Sequence, residues 1–542
     1  MLCIYSQETF TRRRFVGVLI VYPLRYLGAS AHYGRDRTPP RCSTITMPML
    51  FLILSLYSIG IGSVVAGVSG GAPTHGFNFS SVYSNRTNAT YYNYTNAISS
   101  NDFSYRGVAL GGWLVLEPYI TPSLFLSFNE SSHNSSDIPK DEYRFCEKLG
   151  EEEASKRLQK HWSTFYNASD FADIKAYGFN MVRIPVGYWA FETLDDDPYV
   201  PGAQEYLDKA IEWAHDNDLK VWIDLHGAPN SQNGFDNSGL FRKNEPGWQD
   251  KSEYVDLTLK VLRQIYAKYG SAEFSERYHD TILGIEVLNE PMGPKLKMPK
   301  LKDFYDKAYT AARSIQETNN TIVFHDAFQK AGYWNNFRQH NNNMTNITRN
   351  YNILIDHHHY EVFGVGQLNS SIAQHIENIK NYASGIEDEL NHHPAVVGEW
   401  SAALTDCAPW LNSVNWGTRW EGTPPYDNSP IKSKSIKNCH EINNWKSWSE
   451  KHKRDTRKFI EIQLDQYESK TNGWIFWCYK TETTIEWDFK RLAQYGLFPQ
   501  PFEDRQYIKN GTDTKPDKSG SSRQFGLSTS SLFVVIFLSI FI

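Results

Sequence analysis

Residues 282–290 read Ile-Leu-Gly-Ile-Glu-Val-Leu-Asn-Glu, a largely apolar run that closes on two polar side chains. Other stretches share this character, short and rich in β-branched residues, at 106–113, 180–187, 220–227, 321–328, 352–360, 394–400 and 473–479. Strands that are apolar along nearly their whole length are typical of a parallel sheet buried on both faces.

The intervals between these runs have the spacing of amphipathic helices. They include residues 152–177, 203–217, 250–269, 302–318, 371–390 and 454–469. Eight strands that alternate with helices predict an α/β fold, the (β/α)8 TIM barrel, as a single catalytic domain over residues 103–507.

Several of the predicted strands end in side chains that can ionise or bind. These ends are Asp224-Leu225-His226, Leu288-Asn289-Glu290, Asp356-His357-His358-His359-Tyr360 and Gly398-Glu399-Trp400. Barrel active sites lie at the C-terminal ends of the strands, and a carboxylate is not buried there without a partner or a task. We therefore expect these ends to form one shared site.

Glu290 and Glu399 are suited to cleaving a glycosidic bond. The reaction needs one carboxyl group to protonate the leaving oxygen and a second on the opposite side of the sugar. Across a barrel mouth the two carboxyls can approach to about 5–5.5 Å, the separation of retaining enzymes. One pKa of so close a pair should rise, as a general acid requires. The alternative is structural, in which each Glu caps a helix or meets an arginine.

The composition fits a carbohydrate enzyme and argues against a nucleic-acid binder. Aromatic residues make up 14% of the 542 residues. Sugar-binding clefts need flat apolar faces, although a Trp-rich core would give the same composition. The net charge is −6, whereas a protein that binds phosphates needs a basic excess.

Longer motifs resemble a known family. Asn289-Glu290-Pro291, with Glu399 beyond it, resembles glycoside hydrolase family 5, and more closely the fungal exo-1,3-β-glucanases of that family. The resemblance extends over residues 105–507 and is carried by residues 110–118, 182–189, 224–229, 232–239, 356–360 and 399–407. It implies a retaining exo-1,3-β-glucanase that releases glucose from the non-reducing ends of β-1,3-glucan during fungal cell-wall remodelling.

Two alternatives to this function stay open. Within the same family, the chain can be an endo-acting or β-1,6-directed enzyme. The loops that block or open the cleft decide between these specificities, and the sequence pattern does not. From another class, it can be a non-catalytic, wall-binding glycoprotein that keeps the barrel. An intact pair of carboxylates argues against the second, since a pure binder has no need for both.

The resemblance also implies roles for single residues. Glu290 would be the acid/base and Glu399 the nucleophile, with Asn289 on the sugar 2-hydroxyl and Arg183 keeping Glu399 oriented and ionised. The further substrate-binding residues would be His226, His358 and Tyr360 around the cleaved glucose, Glu117 on a distal hydroxyl, Trp477 as an apolar platform, and Phe235 and Phe363 as an aromatic pair at the entrance. Each has a structural alternative: Arg183 a rim ion pair, His226 and Trp477 core residues, and the two phenylalanines loop packing.

Neither a cofactor nor a metal is expected, and we expect a monomer whose partner is β-glucan. The run His357-His358-His359 invites a metal site, but adjacent strand residues point to opposite faces, so at most His357 and His359 face together. In an oxidising compartment Cys407 and Cys439 can pair, whereas Cys478 lies in an apolar run and can simply be buried.

The two ends of the chain predict export. Residues 1–66 are interpreted as a leader and secretory signal, with Met47 as the favoured start, and residues 67–102 as a glycosylated linker. Residues 508–522 form a polar tail with lipid attachment at Gly520 or Ser521. Residues 523–542, a polar spacer followed by an apolar stretch from Leu532 to Ile542, match a glycosylphosphatidylinositol (GPI) signal that is removed on maturation, with a tail anchor or a frayed apolar tail as the alternatives.

Glycosylation sequons support the same destination. Asn-x-Ser/Thr occurs at Asn78, Asn85, Asn88, Asn93, Asn129, Asn134, Asn167, Asn319, Asn343, Asn346, Asn369 and Asn510. Such sites mark solvent-facing loops in secreted proteins. We expect a secreted glycoprotein at the cell surface, anchored through GPI to the plasma membrane, the cell wall or both.

Overall fold

Eight parallel strands close into a barrel. They are β1 (Tyr105–Ala109), β2 (Met181–Gly187), β3 (Lys220–Gly227), β4 (Ile282–Glu286), β5 (Thr321–His325), β6 (Ile353–His358), β7 (Ala395–Trp400) and β8 (Gly473–Phe476). Each strand pairs with its neighbours in sequence, and β1 pairs with β8 to complete the closure. The predicted (β/α)8 barrel is confirmed.

The computed structural model describes residues 103–279, 281–338, 352–364, 366–423, 435–509 and 511–514. All of them fall within one compact unit, Phe77–Ile542. The predicted leader, linker and lipid-attachment segment, with Gly520 and Ser521, lie outside the described residues. Within the described ranges, no helix has both the length and the apolar character needed to cross a membrane.

Helices surround the barrel. They are α1 (Pro122–Ser132), α2 (Glu142–Thr164), α3 (Ala168–Ala176), α4 (Ala203–Asp216), α5 (Ser252–Tyr269), α6 (Ala272–Tyr278), α7 (Met298–Ile315), α8 (Ile372–Glu389), α9 (Cys439–Ile442), α10 (Glu450–Lys470) and α11 (Phe489–Gln494). The predicted helical stretch 152–177 contains two helices rather than one. Asn167 and Asp170 form a capping box that starts α3, and such a cap ends the preceding helical path because the Asn167 backbone is extended.

The strands β2, β3 and β7 end where the apolar runs predicted, and the other five end earlier. The run 106–113 is a strand only to Ala109, and the run 282–290 only to Glu286. The residues beyond Glu286 enter the mouth of the barrel, although the N–H groups of Val287 and Asn289 still donate to neighbouring strands. Of the polar ends of the runs, Asn289, Glu290, His359 and Tyr360 follow their strands, whereas Asp224, His226, Asp356, His357, His358 and Glu399 lie within them.

Packed side chains fill the barrel interior. Each strand contributes a side chain to one buried cluster, namely Tyr105, Met181, Trp222, Leu283, Val323, Leu354, Val396 and Ile475. A separate and larger cluster, which includes Val182, Ile223 and Ile355, packs together with the apolar faces of the helices. Burying one such side chain stabilises the fold by roughly 1.5–3 kcal/mol. The barrel is thus solid below its mouth, and the open space lies at the C-terminal ends of the strands.

A disulfide joins two segments that follow β7. Cys407 and Cys439 are bonded, a pairing that the sequence allowed but did not settle. Cys146 and Cys478 are free thiols and both are buried. Beyond residue 507, two short strands, β9 (Ile508–Lys509) and β10 (Thr512–Asp513), pair antiparallel.

Candidate active site

Glu290 and Glu399 meet at His358. The Nδ1 atom of His358, at the end of β6, lies 2.8 Å from Glu290 Oε1 and 3.4 Å from Glu399 Oε2. Both carboxylates therefore converge on one nitrogen atom, which places them close together at the mouth of the barrel. All three side chains are nearly completely buried. The arrangement suits a retaining pair of carboxyls.

The backbone turns Glu290 into the mouth of the barrel. Its φ of +46° lies in the left-handed region, which costs a residue with a side chain about 1–3 kcal/mol and is found most often at functional sites. Gln232 holds the turn from both sides, since its Nε2 donates to Asn289 O at 2.9 Å and its carbonyl accepts from Met292 N at 3.1 Å. Asn237 Nδ2 adds a 3.4 Å contact to Glu290 Oε2.

Glu399 is held by two donors. Arg183 Nη1 donates to its Oε1 at 2.7 Å, and the Tyr360 hydroxyl donates to its Oε2 at 2.7 Å. The preceding Gly398 donates its N–H to Asp356 Oδ1 at 2.9 Å. A Cβ at Gly398 would lie 2.0 Å from that oxygen, so only glycine allows this approach.

Arg183 links four strands inside the barrel. Its Nη2 donates to Glu286 at 2.8 Å and to Asn289 Oδ1 at 2.8 Å, and it lies 3.1 Å from Asp224. Burial alone would lower the pKa of this guanidinium, but the surrounding carboxylates hold the pKa well above its usual range. It therefore stays charged and, together with His358, compensates the buried acids around it.

The pKa values of the carboxyl pair are driven apart, as expected, but in an order that sequence reasoning did not foresee. Burial raises the pKa of Glu399, and Glu290 adds to this while His358 and Arg183 oppose it. Burial also acts on Glu290, but the hydrogen bond and charge of His358 outweigh it and lower the pKa. The raised member is Glu399 and not the expected acid, because His358 donates to Glu290 more closely. Despite burial, Glu399, Asp356 and Glu290 keep the pKa of His358 well above its ordinary value.

Trp477 and His226 form a stacked pair beside the carboxylates. Their rings are nearly parallel, with centroids 5.5 Å apart. The Nδ1 atom of His226 lies 2.6 Å from Asp224, and its Nε2 lies 3.5 Å from Asn289. The indole N–H of Trp477 donates to the Tyr119 hydroxyl. These bonds fix the plane of the tryptophan ring at the mouth.

A cavity of about 510 Å³ lies above these groups. Its lining includes the predicted residues Glu117, Phe235, Glu290, Tyr360, Phe363, Glu399 and Trp477. Arg183, His226 and Asn289 are fully buried and touch the lining from behind. The structure thus brings every predicted binding residue into one site, either on the wall or in the layer supporting it.

Some polar and aromatic residues of the site were given no role by the prediction, although Asp224 and Asp356 belong to the strand ends that were expected to form it. The residues without a predicted role are the buried carboxylates Asp224, Glu286 and Asp356 and the cavity-lining residues Tyr119, Asp236, Asn237, Phe241, Trp416, Arg419 and Trp487. Asp224 and Asp356 each stand two positions before a predicted histidine, and strand alternation puts such pairs on one face. Glu286, Trp416 and Phe241 gave no comparable sequence signal.

Two groups of acidic and histidine side chains have atoms close enough for a cation among the described residues. They are Glu290 with His325 and His358, and Glu286 with Asp356 and His358, in each case within 4.8 Å. Both groups share His358, whose two nitrogens already lie against Glu290 and Asp356. These contacts occupy the lone pairs that a metal ion would need.

The fold and the site define a (β/α)8 glycoside hydrolase built on a carboxylate pair. The family model "Cellulase (glycosyl hydrolase family 5)" matches residues 146–417. The glucan 1,3-beta-glucosidase 2 of Candida albicans is 54% identical over 448 residues, 80% of this chain and 92% of that protein. The chain belongs to glycosyl hydrolase family 5.

Other relatives agree. The glucan 1,3-beta-glucosidase I/II of Saccharomyces cerevisiae is 50% identical over 404 residues, 74% of this chain and 86% of that protein. Among solved structures, the rutinosidase from Aspergillus niger superposes with a TM-score of 0.54 at 18% identity, over 74% of this chain and all of that one. At that identity the match shows the shared barrel fold and not a shared substrate.

Proposed function

We propose that the protein is a retaining exo-1,3-β-glucanase that releases glucose from the non-reducing ends of β-1,3-glucan, in fungal cell-wall remodelling. The observation that carries the proposal is the close contact of Glu290 and Glu399 with one imidazole nitrogen. Relatives 50–54% identical to the chain are named glucan 1,3-beta-glucosidases. The alternative of a wall-binding protein gives no reason for two converging carboxyls.

The proposed reaction is a double displacement. A Glu399 oxygen attacks the anomeric carbon while the bond to the leaving oxygen breaks, and Glu290 gives that oxygen its proton. Glu290, now a carboxylate, takes a proton from water, whose oxygen attacks the same carbon and frees Glu399. Two inversions give net retention, so the first glucose formed is the β-anomer.

His358 supplies the proton that Glu290 needs as an acid. In the substrate-free site the high pKa of His358 and the low pKa of Glu290 place this proton on the imidazole, 2.8 Å from the carboxylate. As a Glu399 oxygen attacks, the loss of its negative charge removes a main cause of the raised pKa of His358 in that same step, so the imidazole proton passes to Glu290 as Glu290 protonates the leaving oxygen. When water frees Glu399 and its charge returns, the proton that Glu290 has taken from water goes back to His358. The hydrogen bond is the path along which the proton moves.

The other site residues position the sugar in this proposal. Asn289 lies between Arg183 and His226 and holds the 2-hydroxyl, a contact that strengthens in the transition state. Glu117 binds a distal hydroxyl, and Trp477 provides the apolar floor. Phe235 and Phe363 form the aromatic pair at the entrance, Tyr360 completes the subsite of the cleaved glucose, and His226 and His358 support it.

An NMR time course on laminaripentaose tests the activity, mechanism and direction together. Early β-glucose with a shortened oligomer is the expected result. Early internal fragments would keep the mechanism and make the enzyme endo-acting. Binding without hydrolysis would favour another linkage or the wall-binding alternative.

Glu399→Gln tests the nucleophile. We expect turnover to fall by at least about 10⁴-fold because no covalent intermediate can form. The far-UV circular dichroism and the unfolding midpoint should stay close to those of the unchanged protein, because the amide keeps the shape of the side chain. Activity near that of the unchanged protein would overturn the assignment.

For the location of the protein we propose export with GPI attachment at Gly520 or Ser521. Among the sequon asparagines in the described ranges, Asn134, Asn167 and Asn369 are exposed and Asn129 and Asn319 are half-buried, as glycosylation requires. Phosphatidylinositol-specific phospholipase C should move the protein from intact membranes into the aqueous phase. Retention on the membrane after this treatment would favour the tail anchor. The double variant Gly520→Pro/Ser521→Pro is the control, because it should not receive the GPI lipid.

A further inference from the structure

Two loops from opposite sides of the barrel meet above the cavity. Phe241 lies in the loop after β3, and Trp416 lies in the loop after β7, four strands away around a barrel of eight. Their ring centroids are 5.2 Å apart in an edge-to-face arrangement. Both residues line the cavity that contains Glu290 and Glu399. We name this contact the Phe241–Trp416 bridge.

A third part of the chain fixes the bridge. The Lys140 ammonium lies 5.4 Å from the Phe241 ring centre and 5.5 Å from that of Trp416. The Phe241 N–H donates to Asp141 Oδ2 at 2.9 Å, and Asn415 Nδ2 donates to Ser135 O at 2.6 Å. The bridge is therefore held at both ends by the segment between α1 and α2.

The same segment places the bridge on the Glu117 side of the cavity. Glu142, next to Asp141, accepts the N–H of Leu116 at 2.8 Å, immediately before Glu117. The cavity is unevenly enclosed: Phe241 is 5% exposed and Trp416 is half-buried, whereas the lining residues Phe328 and Phe363 are 38% and 48% exposed. One side is closed by the bridge and another is an open aromatic mouth.

We propose that the Phe241–Trp416 bridge determines the exo mode, by leaving room for a single sugar unit on the Glu117 side of the scissile bond. The inference rests on the proposed function, since it needs a glucan substrate cleaved at Glu290 and Glu399. The terminal glucose meets the bridge and Glu117, and the rest of the chain leaves past Phe363. Trp416 and Phe241 are then specificity-determining residues that take no part in the chemistry.

Trp416→Ala tests the proposal by opening the wall. Two substrates are compared: laminaripentaose, and a chromogenic β-1,3-oligoglucoside whose non-reducing terminal sugar carries a bulky 4,6-O-ketal. The closed site should reject the blocked substrate. We expect Trp416→Ala to raise hydrolysis of the blocked substrate, relative to the free one, by about tenfold or more, and to release disaccharide among the first products. Trp416→Phe should behave like the unchanged enzyme, because it keeps an aromatic barrier.

A matched control and a second variant keep the result interpretable. Trp445→Ala removes a half-buried tryptophan that stacks on Tyr495 outside the cavity, and it should leave the product pattern unchanged. If Trp416→Ala does not fold, Phe241→Leu takes its place as the test. It shortens the other side chain of the bridge with little loss of core volume, and it should also raise hydrolysis of the blocked substrate relative to the free one.

Three results would count against these ideas in distinguishable ways. If the folded bridge variants release only glucose and still reject the blocked substrate, the bridge does not set the exo mode. If they raise the KM for laminaripentaose with glucose as the only product, the pair binds the chain and does not block it. If the unchanged enzyme hydrolyses no β-1,3-oligoglucoside at all, the proposed function fails, whatever the bridge does.

Discussion

At the scale of single residues, the hydroxyl of Tyr360 is one of the two donors that hold the proposed nucleophile. It donates to Glu399 Oε2 at 2.7 Å, and a hydrogen bond to a carboxylate favours its ionised form. Burial and Glu290 already raise the pKa of Glu399. The loss of the Tyr360 donor should raise this pKa further. The acid limb of the pH–rate profile should therefore respond to this one atom.

We predict that Tyr360→Phe moves the acid limb of kcat/KM to higher pH by roughly one unit, the value of a hydrogen bond to a charged group. The direction follows because Glu399 attacks only when ionised, and a higher pKa delays ionisation as pH rises. The measurement is kcat/KM against pH. Tyr206→Phe, which removes a hydroxyl bonded to Gln159 on the outer helices, should leave the profile in place. An unmoved acid limb in Tyr360→Phe would contradict the prediction.

The residues that point into the cavity could be predicted from the sequence more readily than the buried ion-pair partners that set its charge. Glu290, Glu399 and Asn289 stand in a motif, and each reaches the site. Glu286 lies in the middle of an apolar run, where nothing in the sequence shows that Arg183 crosses the barrel to reach it at 2.8 Å. Nor could the sequence show which of Glu290 and Glu399 has the higher pKa. This depends on the distances from His358 Nδ1, 2.8 Å to Glu290 and 3.4 Å to Glu399.

At the scale of elements, the apolar runs predicted all eight strands and the ends of β2, β3 and β7, but ran past the ends of the other five. A buried strand and the loop that continues it into a barrel mouth can both be apolar, as Val287 and Leu288 show, so composition does not mark where the strand ends. The helix boundary at Asn167 was missed for a different reason. Its cap depends on an extended backbone at one residue, inside a stretch whose helical periodicity continues on both sides.

Loop geometry could not be predicted at all. Phe241 and Trp416 are separated by 175 positions in the sequence, and their contact depends on the closure of the barrel and on the segment that carries Lys140. Neither residue belongs to a motif with a mechanism. Such contacts are set by tertiary structure, which is why the exo and endo alternatives stayed open at the level of sequence.

The loop after β7 depends on its disulfide. The bond joins Cys407 to Cys439, 32 positions apart, and the enclosed segment includes Trp416 and Arg419. Arg419 donates to the backbone carbonyls of Val362 and Phe363, so this loop also holds the loop of the entrance phenylalanine. Glu399 lies within β7 itself and does not share this dependence.

We predict that the double variant Cys407→Ala/Cys439→Ala loses about 2–4 kcal/mol of unfolding free energy, because the open loop gains conformational freedom mainly in the unfolded chain. Urea unfolding measures the loss. Dithiothreitol should destabilise the unchanged protein by a similar amount and leave the variant unaffected. Equal stability of the variant and the unchanged protein would show that the bond does not constrain the fold.

At the scale of the whole molecule, several buried groups bind protons more tightly when the chain is folded. Burial raises the pKa of Glu486 to about 8 and that of Glu142 to about 7. For His357 burial acts in the opposite direction, but Asp326 and Glu389, at 2.8 Å and 2.7 Å, raise its pKa to about 10. In the unfolded chain these groups return to ordinary values, so folding is linked to proton uptake.

The sign of this linkage gives a prediction for stability. A group whose pKa is raised in the folded state contributes stability below its unfolded pKa and loses it as pH rises towards the folded value. The contribution of Glu486 is lost between its ordinary pKa of 4.5 and about pH 8, and that of His357 between 6.5 and about 10, so both fall together from pH 6.5 to 8. The free energy of unfolding should thus fall by about 3 kcal/mol across this window, as urea denaturation at each pH would measure. Glu486→Gln, which cannot ionise but can still accept from Thr405, should flatten the fall. A stability that rises from pH 6.5 to 8 would mean that these acids are not protonated in the folded barrel.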